Sequence, residues 1–111
     1  MAITTLKLEG RLDTARTAQL ELAFTAKASG LTDSNASAVI DLSEVTYISS
    51  MGIRLLVTTL KQFRNRNVRF AAVQPREALA RESLEIANLV PLLNMADSYE
   101  TACASLGPDA I

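Results

Sequence analysis

The chain has 111 residues, 49% of them hydrophobic, with 11 basic and 12 acidic side chains, a net charge of −1, one cysteine and no histidine or tryptophan. One thiol excludes an internal disulfide. Without histidine it also excludes the usual zinc sites, Ser-His-Asp and Cys-His catalysis, and the commonest general base at neutral pH. The near-neutral balance argues against a dedicated nucleic-acid binder, and the length fits one compact domain, residues 1–111, with a core of its own.

Leu6, Leu8 and Leu12 alternate with Lys7, Glu9, Arg11 and Asp13, the period of a half-buried strand. Gly10 falls on the apolar phase, where a missing side chain signals a bulge or a close neighbour. Asp13 or Thr14 can cap a helix running to residue 28 that buries Leu20, Ala23 and Phe24. Residues 29–35 read as a polar loop. Residues 38–42 form a short apolar run suited to a central strand covered on both faces, and residues 43–48 connect it to the next element. That element is a helix over 50–66, in which Ile53, Leu56, Val57, Leu60 and Phe63 recur at helical spacing. Residues 68–73 read as a strand parallel to the one around Val39, joined to it by a right-handed crossover. Pro75 opens a third helix to residue 87, with Asn88 as its left-handed C-cap. Leu92-Leu93 is a brief extended piece, and Asp97 or Ser98 caps a last helix ending at Gly107-Pro108. The expected fold class is α/β, a small mixed sheet of about four to five strands with about four helices. A hairpin within residues 3–13 would make that sheet mixed.

Met1-Ala2-Ile3-Thr4-Thr5-Leu6-Lys7 has no charged region leading into a long apolar run, so no signal peptide is expected. The apolar runs are far shorter than a membrane span, which argues against direct membrane insertion. An unpaired Cys103 suits a reducing compartment, which makes the cytoplasm the expected location. The net charge hides a split. Residues 45–76 hold no acid and six bases, Arg54, Lys61, Arg64, Arg66, Arg69 and Arg76, while the remainder holds five bases and twelve acids. Lys61, Arg64 and Arg66 suit the C-terminal end of a helix dipole; a basic face for an acidic partner or a phosphate is the other reading.

The segment Asp41-Leu42-Ser43-Glu44-Val45-Thr46-Tyr47-Ile48-Ser49-Ser50-Met51-Gly52-Ile53 sets two serines at the start of a helix, beyond the C-terminal end of a buried strand. Open α/β sheets display functional groups at that edge, and free N–H groups there favour an oxygen acceptor or anion. One serine serves as N-cap. If that is Ser49, Ser50 stands at the first helical position with its hydroxyl toward solvent. Gly52 is a poor helix former, so its presence signals close approach by another chain or tight internal packing. Met51 suits a partner surface or a gap in the core.

Asp41-Leu42-Ser43-x-Val45-x-Tyr47-Ile48-Ser49-Ser50-x-Gly52-x-x-Leu55-Leu56 resembles the signature of STAS domains, the group named for sulfate transporters and anti-sigma factor antagonists. Gly10-Arg11-Leu12-Asp13 resembles the end of that family's early strand. Leu84-x-Ile86-Ala87-Asn88-Leu89 resembles its turn after the third helix, with asparagine in place of glycine, and Asp97-Ser98-x-x-x-x-Ala102 resembles the start of its terminal helix. The resemblance covers nearly the whole chain.

The resemblance implies a STAS-like fold, no enzymatic turnover, no cofactor and no metal. It implies an anti-sigma factor antagonist whose partner is a serine/threonine kinase that doubles as the anti-sigma factor; the helix faces themselves suggest a monomer. Phosphorylation at Ser50, with Ser49 as the alternative acceptor, ends that contact, and a metal-dependent serine phosphatase restores it. Asp13, Ser49, Ser50, Met51, Gly52 and Arg54 are the expected partner-binding residues. Well-known members carry Asp-Ser-Ser-Gly where this chain has Ser49-Ser50-Met51-Gly52, which removes the acid before the acceptor. A non-switching STAS subunit of a transport or signalling-scaffold complex is the alternative. Nucleotide binding near Asp13 and the Ser49–Gly52 turn is a weaker one, since no glycine-rich phosphate loop is present.

Overall fold

The computed structural model describes residues 3–30 and 37–106. Its elements alternate: β1 (Ile3–Leu12), α1 (Thr14–Ser29), β2 (Ser37–Ile48), α2 (Ser50–Asn65), β3 (Arg69–Val73), α3 (Ala78–Ile86), a 3-10 turn over Val90–Leu92, β4 (Met95–Ala96) and α4 (Tyr99–Ser105). The sheet order is β1-β2-β3-β4, and every pairing between these strands is parallel. The α/β class with four strands and four helices is therefore as expected, but the sheet is parallel and not mixed. The hairpin is absent: residues 3–12 are one strand, kept continuous by register shifts between Lys7 and Glu9 and between Gly10 and Arg11. Gly10 sits at φ +75, and a Cβ there would meet nothing nearer than Arg16 Nε at 3.9 Å. The bulge conformation, not a close neighbour, is what requires glycine.

Each crossover steps in the same direction along the sheet, so right-handedness puts α1, α2 and α3 on one face. The core forms there from Leu6, Leu8, Leu12, Ile40, Leu42, Val45 and Ile48 of the strands, Phe24 of α1, Leu56, Leu60 and Phe63 of α2, and Leu84 of α3. The Phe63 and Phe70 rings lie 5.8 Å apart and tilted, tying the end of α2 to β3. Helix α4 covers the other face, packing Ala102 and Leu106 on Val39, Ala71 and Val73. It packs mainly on β2, β3 and β4 and touches β1 near its start, where the Tyr99 and Thr5 hydroxyls lie 2.8 Å apart, while Lys7, Glu9 and Arg11 further along β1 stay exposed.

Several local expectations shift. Residues 43–48 are not a connection; β2 runs on to Ile48, because β1 is long enough to pair with it as far as Leu12. In α1, Phe24 is buried but Ala23 is exposed, and Thr17 takes the inner position. In α2 the buried stripe adds Leu55 and Thr59, while Ile53 and Val57 are half-buried at its border. Helix α3 starts at Ala78, not Pro75. The Arg76 N–H is spent on the Ser43 carbonyl (3.3 Å), and the Arg81 guanidinium donates to the Pro75 and Arg76 carbonyls, which holds this stretch as a turn. Leu92 belongs to the 3-10 turn, and the extended pair is Met95–Ala96. Asn88 has φ 58 as expected, and Asn67 ends α2 the same way at φ 57. At both ends the next residue's N–H returns to a carbonyl five residues back, Leu89 to Leu84 (3.0 Å) and Val68 to Phe63 (2.9 Å), closing the helix with an apolar contact. Ser98 Oγ accepts from Thr101 N at 3.1 Å and caps α4; Gly107 and Pro108 lie outside the described residues, as does most of the 29–35 loop.

Candidate functional site

The C-terminal ends of β1 and β2 lie side by side, with Leu12 in register with Ile48. The chain leaves both in helices, so Asp13 and Ser49 occupy equivalent caps. Asp13 Oδ1 accepts from Arg16 N at 2.9 Å and starts α1; Ser49 Oγ accepts from Gly52 N at 3.3 Å and starts α2. Both caps serve the same purpose, pairing an N–H that the helix leaves without a partner. The Ser49 N–H donates to the Leu12 carbonyl at 2.8 Å, which pins the head of α2 beside Asp13. Of the serine pair, then, Ser49 is committed to structure: half-buried, in an extended conformation at φ −82, with its hydroxyl in the cap.

Ser50 is the first residue of α2 and is exposed, and its hydroxyl makes no hydrogen bond among the described residues. Met51 is half-buried beside it, and Arg54, one turn along, is exposed. Gly52 is buried for an internal reason. A Cβ there would lie 2.9 Å from Ile48 Cγ2 and 3.3 Å from Leu12 Cβ, so α2 can approach the strand ends this closely only without a side chain. The structure thus brings Asp13, Ser49, Ser50, Met51 and Gly52 to one corner, with Arg54 on the adjoining turn of α2.

The corner also contains a group that the sequence pattern did not single out. Arg11 and Tyr47 are register partners on the open sheet face, and the guanidinium carbon lies 4.4 Å from the ring centroid, a cation–π arrangement. Arg11 Nε is also 4.0 Å from Asp13 Oδ2. Both residues fall on the polar phase of their strands, which was the available signal; their pairing depends on register. Elsewhere on that face, Lys7 pairs with Glu44, and this hydrogen-bonded carboxylate raises the lysine pKa above its usual 10.5. The six bases of residues 45–76 do not form one face. Arg54, Lys61 and Arg64 are exposed along α2; Arg69 donates to the Leu106 carbonyl at 2.8 Å; Arg66 closes α2; Arg76 lines an open cleft with Asp41 and Asp97. Among the described residues no group of three or more His, Cys, Asp or Glu side chains is placed to hold a metal ion, and no helix is long and apolar enough to cross a membrane.

A profile of the STAS domain family matches residues 2–102. No curated protein matches the chain in sequence. Among solved structures, the chain is similar to an anti-sigma factor antagonist from Mycobacterium paratuberculosis, with a TM-score of 0.80 and 21% identity over 94% of this chain and 85% of that one. It is also similar to the anti-sigma factor antagonist SpoIIAA in its unphosphorylated form, with a TM-score of 0.69 and 16% identity over 89% of this chain and 84% of that one. Both likenesses support the fold built above. With the strand–cap–helix corner in the place its signature describes and a family match over nearly the whole sequence, the chain belongs to the STAS domain family.

Proposed function

We propose that this chain is an anti-sigma factor antagonist of the partner-switching kind, acting as a single domain and a monomer in the cytoplasm without turnover of its own. It binds a serine/threonine kinase that also serves as anti-sigma factor, and it lets go when Ser50 is phosphorylated; a metal-dependent phosphatase resets it. The observation that carries this reading is the division of labour in the serine pair. Ser49 is used up as a cap, whereas Ser50 offers an unengaged, exposed hydroxyl on a rigid helix head. A phosphate there adds roughly −1.5 to −2 charge to a docking surface without touching the core. The positive end of α2 accommodates it within the domain, so the cost falls on the complex. Asp13, Met51 and Arg54 complete the surface, and Gly52 contributes by letting α2 sit close. The similar solved structures are themselves anti-sigma factor antagonists. The test is incubation with the cognate kinase and ATP. One phosphate should be added, none in Ser50→Ala, and Ser50→Asp should bind the kinase about tenfold more weakly or worse, a loss of about 1.4 kcal/mol. Equal labelling of Ser50→Ala would move the acceptor, with Ser49 next in line.

One observation favours a second reading, a non-switching STAS subunit of a transport or scaffold complex. Aligned on Gly52, Met51 takes the place of the second serine of Asp-Ser-Ser-Gly, and Ser49 that of the acid. Recovery of the chain with an ATPase or permease, and no phosphate transfer from any co-purified kinase, would select this reading.

A further inference from the structure

Helix α2 carries an outer stripe that runs its whole length. At 3.6 residues per turn, Ser50, Arg54, Val57, Lys61 and Arg64 fall within about 80° of one another, a strip roughly 21 Å long. Arg54, Lys61 and Arg64 are all exposed. Among the described residues Lys7 pairs with Glu44 and Arg11 with Asp13, and none of Arg54, Lys61 and Arg64 has a carboxylate partner there. No acid occurs anywhere in residues 45–76, and the helix cannot pair its own bases.

Beside the C-terminal half of this stripe lies an apolar groove of ≈100 Å³. Val57 and Leu60 of α2 form one wall, Leu89 and Leu92 the other, and Lys61 and Arg64 stand at the rim. The left-handed turn at Asn88 creates it, folding Leu89 back onto the core and carrying the 3-10 turn against α2. Leu92 remains 42% exposed there. The volume has room for one aliphatic side chain.

We propose that this stripe and groove dock an acidic, amphipathic segment of a partner protein. One aliphatic anchor enters between Leu60 and Leu92, and carboxylates on the same segment face Arg54, Lys61 and Arg64. Charge decides the class of occupant. Outside residues 45–76 the chain holds twelve acids against five bases, so a broad anionic surface such as a membrane or duplex would also meet repulsion. A single narrow segment meets the three cations alone. The inference builds on the proposed function only in taking α2 as the docking element, with Ser50 at the head of the same stripe.

The test uses the full chain and a fluorescein-labelled synthetic helix of about 16 residues, with leucines at i, i+4 and i+7 and glutamates on the flanking positions. The controls are the same peptide with lysines for glutamates, and vesicles containing phosphatidylglycerol. Anisotropy should show saturable binding in the range of about 10–100 µM at low salt, weakened severalfold on raising salt to about 0.3 M. The double variant Lys61→Glu/Arg64→Glu should weaken it about tenfold and Leu92→Ser severalfold, while Glu100→Gln, exposed on α4 across the sheet, should bind as wild type. The proposal is overturned by no saturation below about 1 mM, equal binding of the lysine peptide, undiminished binding by the double variant, or stronger binding to the vesicles. It is also overturned if sedimentation shows a second copy of this chain covering the groove. Peptide binding without phosphorylation of Ser50 would retain the surface and remove the switch. A kinase complex that survives the double variant, yet is broken by Ser50 phosphorylation, would do the reverse.

Discussion

The Ser49 N–H donates to the Leu12 carbonyl at 2.8 Å, joining two residues 37 positions apart where β1 and β2 both end. Through this bond the caps of α1 and α2 become neighbours, and Ser50 is presented from a corner held by two strands, not from a loop. A modified or docked side chain at such a position meets a surface that does not have to be ordered first.

The two serines should separate cleanly in stability. Ser49→Ala removes the side-chain partner of Gly52 N and should cost about 1 kcal/mol, whereas Ser50→Ala should stay within about 0.5 kcal/mol of wild type. Urea unfolding of both variants checks this, and a larger loss at Ser50 would mean that its hydroxyl has a structural task.

At Gly52 two effects oppose each other. Alanine gains about 1 kcal/mol of helix propensity. Its Cβ, however, would lie 2.9 Å from Ile48 Cγ2, on a branched side chain that is itself buried, and overpacking of that kind costs about 1–3 kcal/mol. Gly52→Ala should therefore be destabilised by about 1 kcal/mol, with amide shifts at Ser49 and Ser50 as α2 moves outward. A stabilised variant would show that the corner is looser than described.

Among the described residues three asparagines are left-handed, and they are not equivalent. Asn67 and Asn88 end helices, where glycine is at least as comfortable, so Asn67→Gly and Asn88→Gly should be neutral or slightly stabilising. Asn94 has φ 52, but its side-chain amide also donates to the Phe70 carbonyl at 3.0 Å and helps hold β4 to β3. Asn94→Gly should lose about 1 kcal/mol. Equal melting temperatures for all three would remove that distinction.

Thr17 is 1% exposed, and its hydroxyl finds no hydrogen-bond partner among the described residues. Valine has nearly the same shape without the unpaired polar atom, so Thr17→Val should stabilise the protein by about 1 kcal/mol. A loss of stability in thermal unfolding would reveal a partner for that hydroxyl.

Lys7 titrates high because Glu44 accepts its hydrogen bond and supplies the opposing charge. A raised pKa in the folded chain means that the pair's contribution is fully present below the ordinary lysine value and is lost as pH climbs through the raised one. Glu44→Gln should return the Lys7 titration, followed by NMR at its side-chain carbons, toward 10.5, with no change in stability between wild type and variant confined to acid pH. A titration of Lys7 that ignores the substitution would mean that the raised value has another source.

Much of the fold was legible residue by residue. The alternation of Leu6, Leu8 and Leu12 marked β1, the spacing of Leu56, Leu60 and Phe63 marked α2, and Asn88 marked the end of α3. The boundaries that moved were those set by distant partners. β2 extends to Ile48 because β1 is there to pair with it, and α3 starts late because the Arg76 N–H is taken by Ser43.

What the sequence by itself determined is the chemistry available and the local grammar: no histidine, a single thiol, and a serine pair at a strand–helix junction in which one member caps and the other is left over. Periodicity and capping act between near neighbours, so they can be read along the chain. Only the tertiary structure decided that all four strands run parallel, that Asp13 lies beside Ser49, that Gly52 is small because Ile48 and Leu12 press on it, and that three of the six bases share one side of α2 while the others are dispersed. Those facts depend on register and on helix placement, which arise from contacts between residues far apart in sequence.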